Sequence, residues 1–218
     1  MSPELLKEAL SAIAHGVSMT LILISITAVV GITLSTLLAA GRRSGIRPLS
    51  MLIICYVELI RNTPFLVQLF FIYFGLPALG ILLDPIYAAL LAMILNMTAY
   101  TTEIIGAGLD AVPEGQWDAV QALGLSKHIA FLKVILPQAL IVIYPALASQ
   151  IIIMMLESAV VSQIAVRELA HMAELWQSKT YRAFETYSVV ALIYLVMAIS
   201  MRRILVVLGK RFISADIT

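Results

Sequence analysis

The sequence predicts an all-α polytopic membrane protein with five transmembrane helices. Three observations carry that prediction. Of 218 residues, 61% are hydrophobic and 12% charged, with a mean hydropathy of +1.01; a soluble globule holds about 45–50% apolar and about 25% charged residues. The apolar residues fall in charge-poor runs of about 20 residues, the length that crosses a hydrocarbon core as an α-helix. The basic residues gather between those runs. This much apolar surface cannot be buried in a soluble domain of this size, so the solvent is the lipid bilayer. A formal net charge of +1 implies no nucleic-acid partner. The single cysteine, Cys55, cannot form an intrachain disulfide.

Residues 1–16 carry Leu5, Leu6, Ala9, Leu10 and Ile13 at helical spacing, which predicts a short interfacial segment on the membrane surface. Ala9–Gly41 holds no Asp, Glu, Lys or Arg, and places the first span at about residues 17–40. That run is too long for a secretory h-region and is expected to stay as an anchor. A basic turn, Gly41–Pro48, leads to a second span at about 50–74, closed by Gly75-Leu76-Pro77. The third occupies about 85–107. After a polar loop at 110–133 the fourth runs from 134 to 157. A looser polar region, Arg167–Glu185, precedes the fifth at about 186–208, where Arg202 and Arg203 snorkel to the interface. Residues 17–208 thus form one transmembrane domain, and 209–218 a cytoplasmic tail.

The basic residues set the orientation. With five spans the termini lie on opposite sides. A cytoplasmic C-terminus puts Arg42, Arg43, Arg47, Lys127, Lys133, Arg202, Arg203, Lys210 and Arg211 inside, against Lys7, Arg167, Lys179 and Arg182 outside. The N-terminus is therefore expected outside and the 110–133 loop inside.

Ionisable residues at membrane depth cost about 2.5–3.5 kcal/mol each on insertion scales and turn toward protein or water. Glu58 and Arg61 stand at i, i+3 on the second span, as an ion pair or as the lining of a path. Asn62, Thr63 and Gln68 add polarity there, and Pro64 is expected to kink the helix. On the third span Asn96, Tyr100 and Glu103 make one stripe. Such a stripe either joins helices or lines a cavity, and the carboxylate favours the cavity. Glu157 closes the fourth run beside Ser158; Met154 and Met155 read as packing. His171, with Glu168 and Glu174, reads as a solvated outer face rather than a metal site. No catalytic set and no phosphate-binding loop is present: Gly106-Ala107-Gly108 lacks the Gly-Lys-Ser/Thr of a P-loop. The chain is not expected to be an enzyme.

Within the polar loop, Pro113 suits a helix start, and Glu114 and Asp118 suit its positive end. Gly124 suits a left-handed C-terminal cap near Leu123. Ser126 can cap a second short helix that Pro137 ends or restarts. Gln116, Trp117, Val120, Leu123 and Gly124 would offer an apolar surface to a partner, or rest on lipid as a plain connector.

Here a resemblance enters. Trp117–Ser126 (WDAVQALGLS), followed by Val134–Ala139 (VILPQA), resembles the EAA loop of importer-type ABC permeases, with Asp118-Ala119-Val120 standing for Glu-Ala-Ala. Tyr56–Phe70 (YVELIRNTPFLVQLF) is similar to the ELIRGTPLLVQLF segment of the polar amino-acid branch. Asn96–Ile104 is similar to its N-x-x-A-Y-x-x-E-I segment. Val112–Gln116 matches VPxGQ, and Leu156–Ser162 resembles KDTSLVS with Leu156 for Lys. The likeness runs from about His15 to Phe212. It implies the type I ABC importer permease fold and a bacterial inner-membrane subunit that imports a polar amino acid by alternating access. It implies a second permease subunit, identical or homologous, an ATPase dimer in the cytoplasm that binds ATP and Mg, and an extracytoplasmic binding protein. Glu114, Gly115, Gln116, Trp117, Asp118, Ala119, Val120 and Gly124 would couple to the ATPase. Arg61, Thr63, Asn96, Glu103, Glu157 and Ser158 would line the substrate path. The chain itself would carry no cofactor or metal. Transport of another small amino compound such as an opine, a passive or ion-driven transporter without an ATPase, and a non-transporting scaffold are the alternatives.

Overall fold

The computed structural model describes residues 3–213. The described residues form helices α1 (Pro3–Arg42), α2 (Arg47–Arg61), α3 (Phe65–Phe70), α4 (Pro85–Asp110), α5 (Glu114–Ala122), α6 (Lys127–Ala130), α7 (Leu136–Glu157), α8 (Leu169–Thr180) and α9 (Ala183–Ile213), with no strand among them. Four helices are long and apolar enough to cross a membrane, and the bent pair Arg47–Arg61 and Phe65–Leu79, counted as one, brings the number to five. The all-α expectation holds, with three differences in how the spans are built.

First, α1 does not break at residue 16. The expected interfacial segment and the first span are one 40-residue helix, because no Pro or Gly cap interrupts the backbone ladder between Pro3 and Arg42. Second, the second span is broken rather than kinked. Pro64 stands at the N-cap of α3 in extended conformation (φ −63°, ψ 140°), and α3 leaves α2 at 107°. Third, α6 is no separate short helix. It passes through a π-helical segment, Phe131–Ile135, into α7 and on to a 3-10 segment, Ser158–Ile164, so the fourth span runs from His128 to Ile164. Pro137 sits just after the π segment, at the junction where the hydrogen-bond ladder changes register. The expected tail at 209–218 begins as the end of α9; residues 214–218 lie outside the described residues.

The core lies where α1, α3, α4 and the end of α7 meet. Leu23, Ile24, Leu69, Met93, Met97, Met154, Met155 and Val161 are fully buried there. Four of these are methionines, whose unbranched thioethers fill the irregular gap beside a broken helix. Gly31 of α1 faces Met97 of α4, where a Cβ would meet the Met97 Cγ at 2.8 Å. Gly108 of α4 faces Ile143 of α7, where a Cβ would lie 2.1 Å from Cγ1. These two close approaches draw α1 and α7 onto α4. The outward faces of α9, including Leu192, Leu195 and Val196, stay exposed, as lipid-facing helices do.

The end of the molecule carrying α8 corrects the solvated-face expectation. Glu168 is fully buried. Its Oε1 accepts the His171 backbone N–H at 2.8 Å, which caps α8, and its Oε2 accepts the Tyr194 hydroxyl of α9 at 2.7 Å. The Leu169 N–H donates to Thr20 Oγ1 of α1 at 3.3 Å. Gly16 allows the approach, since a Cβ there would lie 2.8 Å from the Leu169 Cα. One carboxylate thus ties α8 to α9 beside the α1 contact, and no sequence spacing could reveal a partner 26 residues away.

Two outcomes follow. Gly108→Ala is expected to destabilise the protein by about 1–3 kcal/mol through overpacking. Gly106→Ala, two positions back with nothing within 4 Å, should be neutral or slightly stabilising; thermal unfolding in detergent reads both, and equal losses would contradict the packing account. Burial pushes the Glu168 carboxyl above its ordinary range, opposed by the hydrogen bonds from Tyr194 and the backbone. The folded state then holds this proton more tightly than the unfolded chain. Its contribution is complete below the unfolded carboxylate pKa and is lost as pH rises through the folded value. Glu168→Gln should flatten that part of the stability–pH curve, measured from about pH 4 to pH 8; superimposable slopes would refute it.

Candidate functional site

Two places carry the expected functional residues, and α4 and α7 connect them. The first is α5. It starts after Pro113 and carries Glu114 in its first turn, where a carboxylate suits the helix dipole. It ends as the sequence predicts. Gly124 takes φ +65°, its N–H donates to the Gln121 carbonyl at 2.9 Å, and the Leu125 N–H donates to the Val120 carbonyl at 3.2 Å. A side chain at that φ would be strained, so glycine is required to turn the chain into α6.

The surface of α5 differs from the expected one in a single residue. Val120 is buried on the side that packs against the Phe131–Ile135 segment. It seats the helix on its own chain and is not available to a partner. Trp117, Leu123 and Leu125 are the exposed apolar side chains, and Glu114, Gly115, Asp118 and Ala119 are exposed beside them. Gln116 accepts a hydrogen bond from the Gln138 amide at 3.2 Å, which ties α5 to the first turn of α7. An exposed, capped helix is therefore held on the end of a continuous span.

The second place is the broken span. At the break the carbonyls of Ile60 and Thr63 lose their helical donors, and at membrane depth they need replacements. The Gln68 amide supplies them, donating to the Ile60 carbonyl at 2.8 Å and to the Thr63 carbonyl at 2.9 Å. This fixes which way the amide points. Its Oε1 then accepts from the Asn96 Nδ2 at 3.0 Å, and the Asn96 Oδ1 is left buried with no protein donor. Gln68 was not among the expected path residues. Its spacing in the sequence shows polarity but not that it spans the break.

The charges arrange themselves differently from the i, i+3 expectation. Glu58 does not pair with Arg61; its Oε2 accepts from Asn62 Nδ2 at 2.9 Å. Arg61 turns to α4, with its Nη1 3.8 Å from the Glu103 Oε2 and its guanidinium 5.7 Å from the Tyr100 ring centroid. Arg42 of α1, unremarked in the sequence except as a topogenic charge, donates to the same Glu103 oxygen at 2.9 Å. Arg43 pairs with Asp110 at 2.5 Å. Arg42, Arg43, Glu103 and Asp110, with Ser50 and Thr102, line a cavity of about 720 Å³. The Thr63 hydroxyl is turned back to the Leu59 carbonyl at 2.9 Å.

Glu157 and Ser158 stand apart from that cluster. From the Gly108–Ile143 contact, Glu157 lies about 20 Å along α7 and Asn96 about 18 Å back along α4. Glu103 lies only about 8 Å from the same contact. Five of the six expected path residues thus form two tiers, one with Arg61 and Glu103 and one with Asn96, Glu157 and Ser158; the sixth, Thr63, is joined to Asn96 through Gln68, whose Nε2 donates to the Thr63 Oγ1 at 3.0 Å. Ser158 is fully buried, with its hydroxyl donating to the Met155 carbonyl at 2.7 Å. Glu157 is half-buried and makes no ion pair among the described residues.

Comparisons with known proteins agree with this architecture. Residues 31–214 match the family model described as binding-protein-dependent transport system inner membrane component. The L-cystine transport system permease protein TcyB of Bacillus subtilis is 38% identical over 74% of this chain and 69% of that protein. The arginine transport system permease protein ArtQ of the same organism is 35% identical over 91% of this chain and 89% of its own length. A solved structure described as an amino acid ABC transporter with histidines superposes with a TM-score of 0.89 at 37% identity, covering 97% of this chain and all of that one. With a matching model over most of its length and relatives of like extent, this chain belongs to the family of binding-protein-dependent transport system inner membrane components.

Proposed function

We propose that this chain is the membrane-spanning permease subunit of an ATP-driven importer for a polar amino acid, delivered by an extracytoplasmic binding protein. The observation that carries the reading is the joint between the two places above. An exposed α5, capped by Gly124 and tied to Gln138, sits on the same continuous span whose far end bears Glu157. In this reading a push on α5 is passed along that span to Glu157 and Ser158. The relatives' names, transport proteins for L-cystine and arginine, support the substrate class.

In this reading the protein is a multi-pass subunit of a bacterial inner membrane, with its N-terminus outside and its C-terminus in the cytoplasm. A second permease, identical or homologous, completes the pathway. A cytoplasmic ATPase dimer grips Trp117, Leu123 and the exposed polar face of α5, and binds the ATP and Mg that this chain does not. The chain catalyses no reaction. ATP closure moves α5 and opens the bundle outward; the amino acid enters; hydrolysis resets the bundle.

The cargo's two charged ends set the roles of the tiers. Glu157 and the donor-free Asn96 Oδ1 are acceptors for an ammonium. Arg61, held over Tyr100, is the donor for a carboxylate. Glu103 is already engaged by Arg42 and Arg61, so it holds the cationic side of the path in place and meets cargo only when Arg42 releases it.

Glu157→Gln is expected to raise the half-saturating amino-acid concentration about tenfold in proteoliposome uptake, as loss of one charge-assisted hydrogen bond does. Glu103→Gln should lower the maximal rate. Unchanged uptake kinetics in both variants would remove these carboxylates from the path. Leu123→Asp, on a residue 74% exposed, should leave the protein in the membrane while abolishing retention of the ATPase on purification. Retention at the wild-type level would show that α5 is not the gripped surface.

A further inference from the structure

Between α7 and α9 the structure leaves a groove of about 690 Å³ that the transport reading does not use. Its floor is apolar: Ile141, Pro145, Ile153 and Val206 line it. Small residues make the space. Ala148 and Gly209 stand where larger side chains would close it, and Tyr144 lies across Gly209, where a Cβ would come within 2.3 Å of its ring. The Tyr144 hydroxyl donates to the Leu205 carbonyl, which pins the two helices together at one level and leaves them apart beyond it. Ile141, Ile153 and Val206 are each 46% exposed, so the groove opens outward on the apolar surface of two membrane spans.

The rim is cationic. Arg202, Val206, Gly209 and Lys210 recur at i, i+4, i+7 and i+8, one face of α9. Arg202 and Lys210 both line the groove. Arg203 and Arg211 flank them, and all four are exposed except where α9 packs. No carboxylate pairs with any of the four among the described residues. From Thr186 to Ile213 the helix holds no Asp or Glu at all. An apolar slot with two uncompensated cations about 12 Å apart along its edge is complementary to acyl chains below an anionic headgroup, and a second protein surface would have to bring carboxylates into the membrane to match it.

We propose that the α7–α9 groove is a binding site for an anionic phospholipid, with its acyl chains against Ile141, Pro145, Ile153 and Val206 and its headgroup phosphate held by Lys210 or Arg202. Basic pockets between membrane helices hold such headgroups, and each basic residue adds about 1 kcal/mol at the surface of an anionic leaflet. A headgroup with two phosphates spans both cations; one with a single phosphate uses one of them and the glycerol.

The test is native mass spectrometry of the complex purified with its co-purifying subunits, after exchange into phosphatidylglycerol, diphosphatidylglycerol or phosphatidylcholine. The expected result is retention of anionic lipid over phosphatidylcholine, strongest for diphosphatidylglycerol if one headgroup bridges both cations. Lys210→Gln and Arg202→Gln should each weaken retention roughly fivefold. Ala148→Phe, which fills the slot and leaves every charge in place, should also abolish it; that separates a seated lipid from diffuse surface attraction. Equal retention of anionic and zwitterionic lipid would overturn the proposal, as would indifference to Ala148→Phe. So would a disulfide between copies through Ile153→Cys in a Cys55→Ser background, because a second subunit would then cover the groove.

Discussion

The fold turns on one side chain at a break in a membrane helix. Backbone carbonyls freed at membrane depth find no water, so an interrupted span survives only where something else donates to them. Gln68 does this for Ile60 and Thr63. Because its nitrogen is committed to those carbonyls, its oxygen must accept, and Asn96 must donate to it. That sequence of obligations places α3 across α4, sets the register between them and leaves an acceptor buried at the centre. The 107° turn after α2 also ends the helix at Arg61, whose side chain reaches Glu103. Breaking the helix and building the charge cluster are one event.

The second constraint is continuity. From His128 to Ile164 the chain is helical without a break, though it passes through π and 3-10 segments. A π segment lets a helix shift register without losing its hydrogen-bond ladder. Here it lies where α5 rests, between the exposed helix and the membrane. The buried Val120 and the Gln116–Gln138 bond fasten α5 to that region. The face left to a partner is narrow: Trp117, Leu123, Leu125 and the polar residues between them. Departure from the Glu-Ala-Ala pattern at Val120 therefore acts on how α5 sits on its own chain, while Asp118 stays exposed.

Charge-free runs, the basic turn after α1, the cap at Gly124 and the helix at Glu114–Ala122 could all be read from the sequence, because each rests on interactions within a few residues or on solvent choice. So could the burial of Met154 and Met155. The i, i+3 pairing of Glu58 with Arg61 was legible as a possibility and is not realised: Asn62 caps Glu58 locally, and Glu103 on another helix attracts Arg61. Glu168 read as solvated because it lies in the polar stretch Arg167–Glu185, near His171 and Glu174. It is buried because Tyr194 and the end of α8, brought over it by packing, satisfy its oxygens.

The sequence by itself determined the solvent, the number of spans, the helix that leaves the membrane and the family pattern. These follow from hydrophobic run length and backbone chemistry, which act locally. Only the tertiary structure decided which charges meet, how Gln68 heals the broken span, why Arg42 belongs to the site and where Glu157 stands relative to Glu103. Those outcomes depend on which helices pack together, and that is set by close approaches such as Gly108 against Ile143, between residues far apart in the chain.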